Sequence, residues 1–183
     1  MRKTVILLLA VVLILTVSVS CAYSVSDGEC LGYQTRHFEL NGRITLDGKT
    51  LRCEITSVPN EKITLTVTEP GRLSGLCYEM KDGPKDEFTL TFDGVSFDSK
   101  GEYALNNGIP AVKSLFRIDK DSFIVAEVVD ASGIRMSAVD FRLDGGRARV
   151  FLDRDSTPRR IEGVINGHEI TVIIENFKVI REE

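Results

Sequence analysis

The feature that most limits what this chain can become is apolar–polar alternation with a period of two, broken at short intervals by turn pairs. Ile44 and Leu46 alternate with Arg43, Thr45 and Asp47; Leu51, Cys53 and Ile55 with Arg52, Glu54 and Thr56; Ile63, Leu65 and Val67 with threonines. Phe88, Leu90 and Phe92, then Val139, Phe141 and Leu143, then Ala148, Val150 and Leu152 repeat the pattern. Successive side chains of a strand point to opposite faces, so each run describes a strand with one buried face. Asp47-Gly48, Asp93-Gly94 and Asn166-Gly167 are two-residue hairpin signals. Pro59-Asn60, Pro70-Gly71, Asp82-Gly83-Pro84 and Asp144-Gly145-Gly146 break the runs elsewhere. The spacing predicts roughly nine or ten short antiparallel strands, one of them over Leu73 to Met80.

One stretch departs from this rhythm. In Ile109-Pro110-Ala111-Val112-Lys113-Ser114-Leu115-Phe116 a proline stands at a first helical turn, and residues 112, 115 and 116 share a helical face. The expectation is a mainly β (α+β) fold with a short helix near 110–117. A sheet with one apolar face has two ways to bury it. It curves around that face, or it packs on a second sheet as a sandwich.

The beginning of the chain serves another purpose. Arg2 and Lys3 precede an aliphatic run from Thr4 to Val17, followed by Ser18, Ser20 and Cys21. The run is shorter than the ~20 residues of a spanning helix and reads as an export signal. Val17-Ser18-Val19-Ser20-Cys21 resembles the lipobox of bacterial lipoproteins. That resemblance implies removal of 1–20 as a signal peptide, a lipid on Cys21, and an extracytoplasmic protein held on the outer face of the cell membrane; plain secretion is the alternative. Residues 21–36 are small and polar and read as a tether, and 37–180 as a single β-rich domain.

Charge and reactive groups exclude several function classes. The formal charge of −4 becomes more negative once Arg2 and Lys3 are removed, which argues against nucleic acid as a partner. Cys30, Cys53 and Cys77 remain after Cys21, so at most one disulfide forms, and its pairing is open. His37 and His168 lie at a strand edge and beside a turn, with no second His or Cys near either in sequence, and read as surface residues. Asp153-Arg154-Asp155-Ser156 has the opening rhythm of a calcium loop but reads as a charged turn. Arg147, Arg149, Arg154, Arg159 and Arg160 read as a solvated outer face balanced by Asp144, Asp153 and Asp155. No catalytic residue, metal site or cofactor is expected, and the chain is read as not an enzyme.

Three stretches together resemble a known group: Gly42 to Val67 closed by Glu69-Pro70-Gly71-Arg72-Leu73-Ser74-Gly75-Leu76, the segment from Phe88 to Phe97, and Thr157-Pro158-Arg159-Arg160-Ile161 through Phe177. Their order is similar to lipoproteins of Gram-positive bacteria that share the LolA/LolB-like carrier fold, as do the RseB sensor and the mycobacterial LppX and LprG proteins. The resemblance implies a strongly curved antiparallel half-barrel around an apolar cavity, binding acyl chains, lipids or lipoproteins. The inward side chains expected along such a cavity, or in a filled core, are Phe88, Leu90, Phe92, Phe97, Phe116, Phe141 and Phe177. The alternative is a structural or sensory envelope domain that binds protein partners and has no cavity.

Overall fold

The turn signals close hairpins as expected. Asp47 and Gly48 take φ 48° and 78°, Asp93 and Gly94 49° and 78°, Asn166 and Gly167 52° and 82°. Both central residues are left-handed, which matches the right-handed twist of the flanking strands. The computed structural model describes residues 30–83, 87–99, 108–131 and 134–181. The leader expected at 1–20, Cys21 and the first part of the tether lie outside the described residues.

Eleven strands form one sheet among the described residues. They are β1 (Phe38–Leu46), β2 (Lys49–Val58), β3 (Lys62–Glu69), β4 (Cys77–Lys81), β5 (Phe88–Phe92), β6 (Val95–Ser99), β7 (Phe123–Ala131), β8 (Ile134–Leu143), β9 (Gly146–Leu152), β10 (Pro158–Ile165) and β11 (His168–Val179). The order is β6-β5-β4-β3-β2-β1-β11-β10-β9-β8-β7. Each strand pairs with its sequence neighbour, and β1 pairs antiparallel with β11, joining the start of the domain to its end. The meander is thus circular except between β6 and β7. There the chain leaves the sheet to form helix α1 (Ile109–Leu115). The expected strand over Leu73 to Met80 is a 3-10 turn at Gly71–Leu73 followed by β4. The Gly75 amide donates to Val67 O and the Val67 amide to Leu76 O, folding this loop back on the end of β3.

This is the curved, unclosed half-barrel of the LolA/LolB-like reading; among the described residues no second sheet forms a sandwich. The alternate residues of distant strands meet on one inner face. Ile55, Ile63 and Val67 share a core with Val139, Phe141, Val150, Ile161 and Val172. Helix α1 lies on this face and buries Ile109, Ala111, Val112 and Leu115. Its seat is Gly163 on β10, where an added Cβ would lie 2.7 Å from Leu115 Cδ2. The helix ends at Leu115, short of the expected 117.

The packed chain reaches back at least to Cys30, into the segment expected as tether. Cys30, Leu31, Tyr33 and Gln34 are buried. A 3-10 turn at Gly32–Thr35 aims Tyr33 edge-on at Phe38 and Phe177, with centroids 5.9 and 6.1 Å away. Gln34 Oε1 accepts the Ile118 amide at 2.8 Å, closing this end of the core.

Candidate functional site

Among the described residues, α1 covers one part of the inner face, and the part on β5 and β6 stays exposed. On β5 and β6 the alternation places Phe88, Leu90 and Phe92 beside Ser99, Phe97 and Val95 on one face. The adjoining strand continues the rows, with Met80 opposite Phe88 and Tyr78 opposite Leu90. Exposure rises along this surface toward the edge. Met80 and Phe88 are buried, Tyr78 and Leu90 are half-buried, and Phe92, Val95 and Phe97 are 39%, 53% and 60% exposed. The result is an apolar shelf continuous with the core, ending at β6, the last strand on this side among the described residues.

The seven residues expected on the inner face fall into three places. Phe88, Leu90, Phe92 and Phe97 come together on the shelf. Phe116 and Phe177 pack at the other end, both against Phe38, with centroids 6.1 and 5.3 Å away. Phe141 stacks edge-on with Phe123 at 6.2 Å, in the other half of the sheet. Tyr78 and Val95 also belong to the shelf and are not among the expected seven. Their signal in the sequence is the alternation of Tyr78 with Met80 and of Val95 with Phe97. Burial raises the Tyr78 phenol above its ordinary pKa.

One polar cluster fixes the helix to the first half of the sheet. Arg117, just past α1, donates through Nε to Asp82 Oδ1 and Oδ2 at 3.0 and 2.8 Å. Its Nη1 reaches the fully buried Ser57 Oγ at 2.8 Å, and Nη2 the Val58 carbonyl at 3.1 Å. Lys113 sends Nζ to the Lys81 carbonyl at 2.7 Å. The helix is therefore seated on β10 from one side and clamped to the ends of β2 and β4 from the other.

The reactive groups are dispersed. The Cys53 thiol is pushed up to about 12 by burial. Cys53 and Cys77 carry thiols, so no disulfide joins them to each other or to Cys30. His168, expected as a solvated turn residue, is the first residue of β11 and holds Asp47 Oδ2 at 2.8 Å through Nδ1. That contact and the Glu169 amide lower the Asp47 pKa, and together they tie the β1–β2 turn to the β10–β11 turn. Asp153 accepts the amides of Asp155 and Thr157 and pairs with Arg159 at 2.7 Å, as a charged turn does. Among the described residues no group of three His, Cys, Asp or Glu side chains converges.

The outer face is ionic. Arg52 pairs with Glu69 and Glu175, and Arg43 with Glu175, across four adjacent strands. In the other half Arg149 makes two bonds of 2.6 Å to Asp140. A groove of about 630 Å³ crosses β8 to β11 on this side.

No family model matches the chain, and no curated protein matches it in sequence. Solved structures match it in shape. An uncharacterized conserved protein from Thermus thermophilus is similar with a TM-score of 0.53 at 12% identity, over 85% of this chain and 86% of that one. A LolA superfamily protein from Nitrosomonas europaea is similar at 0.43 and 10% identity, over 87% and 96% of the two chains. The lipoprotein LppX from Mycobacterium tuberculosis is similar at 0.43 and 10%, over 86% and 99%. At these identities the likeness is one of fold.

Proposed function

We propose that this chain is a non-catalytic binding module for acyl chains, carried by lipids or lipoproteins, and that a lipid on Cys21 holds it on the outer face of the cell membrane. The observation that carries the reading is the exposed continuation of the apolar inner face onto β5 and β6. Phe92, Val95 and Phe97 lie on the core side of the sheet yet remain 39–60% exposed. Each methylene an acyl chain buries there contributes ~0.8 kcal/mol. The non-catalytic part rests on the dispersal of titratable groups. Asp82 serves the helix clamp, Asp47 and His168 bond each other, and the ion pairs line the outer face.

Native mass spectrometry of the mature protein from its source should show a co-purifying lipid that leaves on denaturation. A fluorescent fatty acid should bind the delipidated protein and lose affinity about 10-fold in Phe92→Glu/Phe97→Glu, with the melting temperature unchanged. Clean apo protein with no probe uptake would favour the rival, a structural or sensory domain that binds protein partners along a sheet edge and has no cavity. The anchor has its own test. Cys21→Ala should abolish lipid labelling and removal of residues 1–20, and a variant that is processed and membrane-bound as before would sink that part alone.

A further inference from the structure

The arginines of the outer face sort into two kinds. On β8 to β10 most carboxylates are already engaged. Asp140 takes Arg149 in a two-pronged bond, and Glu127 lies 3.1 Å from the same guanidinium. Glu162 pairs with Arg160, which also sits over the Phe151 ring at 5.5 Å. Asp153 holds Arg159. Asp140 and Glu162 thus join Asp153 in balancing the arginines of this face.

Arg142 and Arg147 stand outside these pairs, although the Arg147 charge also acts on Asp140 at longer range. They stand directly opposite each other on β8 and β9, on the same side of the sheet and both exposed. Directly opposed residues have Cβ atoms ~4.5–5.5 Å apart, and like charges in that relation destabilise a sheet. Neither arginine forms an ion pair with any described residue. Asp144, in the turn between them, does not engage them, and Glu169 lies in the same row beyond Val164. Arg147 also lines the 630 Å³ groove, together with the exposed apolar side chains of Val164 and Ile124; Asp140 and Glu162, already paired with Arg149 and Arg160, and Glu169 line it too.

We propose that Arg142 and Arg147 form a binding site for a phosphate ester. A guanidinium offers a planar fork of donors that fits a pair of oxygens. A carboxylate has two oxygens and is satisfied by a single fork, as Asp140 is by Arg149. A phosphate has enough oxygens to bridge two forks and to remove the repulsion between them. Val164 and Ile124 give the organic part of the ester an apolar wall. The phosphate belongs to a soluble ester or to a lipid headgroup, and the experiment separates the two.

The mature chain from Ala22 to Glu183, which carries neither the apolar leader nor the lipidated cysteine, is titrated with glycerol 3-phosphate at constant ionic strength and, separately, with phosphatidylglycerol vesicles. Saturable binding to glycerol 3-phosphate, with a raised melting temperature, identifies a soluble ester; binding to vesicles alone identifies a headgroup. In either case Arg142→Gln/Arg147→Gln should weaken binding at least 10-fold and melt no lower than its parent without ligand. Arg43→Gln/Arg159→Gln, which removes the same charge from paired arginines, should bind as the parent does. No saturable response to either probe overturns the proposal. So does an equal loss in both double variants, which would reduce the effect to net charge.

Discussion

Arg117 shows how much one side chain settles in this fold. Its guanidinium ends the helix segment, neutralises Asp82, caps the Val58 carbonyl and satisfies Ser57, whose hydroxyl has no exposure. Arg117→Ala leaves a half-buried carboxylate and a buried hydroxyl without partners, and removing one member of such a set costs about 2–4 kcal/mol. Urea denaturation should show that loss, and Asp82→Asn added to Arg117→Ala should cost less than the two singles summed. Asp140 gives a prediction in pH. Arg149's hydrogen bonds hold its carboxyl below the ordinary 3.8. A depressed carboxyl contributes stability that is complete above the unfolded value and is lost as pH falls through the lower folded value. Melting temperatures measured between pH 7 and pH 2 should therefore fall less steeply below pH 4 in Asp140→Asn than in the parent. At this scale the sequence is least informative. His168 reads as a turn residue because its partner, Asp47, is remote in the chain. Gln34 and Tyr33 read as tether because a single 3-10 turn carries no periodicity.

Elements are far more legible. Alternation locates most strands, and Asp-Gly and Asn-Gly pairs locate the tight turns, since both are consequences of local backbone geometry. Pro110 marks the start of α1 for the same reason. The exception is β4. Leu76, Tyr78 and Met80 alternate as a strand does, but Leu73 falls out of that alternation, and the backbone at Gly75 and Leu76 bonds back to Val67. Gly42 is equally silent in sequence. It sits at the bulge where the β1–β11 register shifts, and a Cβ there would lie 2.2 Å from the Ile173 carbonyl oxygen. Backbone has to move to admit it, so Gly42→Ala should cost about 1–3 kcal/mol in chemical denaturation. Gly48→Ala tests a different mechanism, because that glycine has open space around it and only its φ of 78° resists substitution. Its cost should be smaller, about 1 kcal/mol. The shelf is half legible. Phe88 to Phe97 announce an apolar face, but whether α1 covers that face depends on where the helix docks, and Gly163 on β10 decides that.

At the scale of the molecule, the arrangement follows from one pairing that no local pattern encodes. The other neighbours in the sheet are joined by hairpins or short loops; β1 and β11 meet only because the two ends of the domain come together. That pairing runs from Phe38 against Val179 to Leu46 against Ile170, in the middle of the sheet. It places buried Ile170, Val172 and Ile174 between the two halves of the core. Without β11 the strands β1 to β6 and β7 to β10 are separate sheets, each with an uncovered apolar face, and α1 has no second wall. The domain should therefore fold as one cooperative unit that is completed by its last strand. A chain ending at Ile165 should show no sigmoidal thermal transition and should be cut rapidly by protease. A chain carrying Val95→Lys on the β6 edge, where Val95 is already 53% exposed, should melt within a few degrees of the parent. Refolding should fall in the millisecond-to-second range, as it does for sheets built on distant contacts. A truncated chain that retained a cooperative melt near the parent's temperature would show that the two halves are independent, and that the circular meander does not hold the fold together.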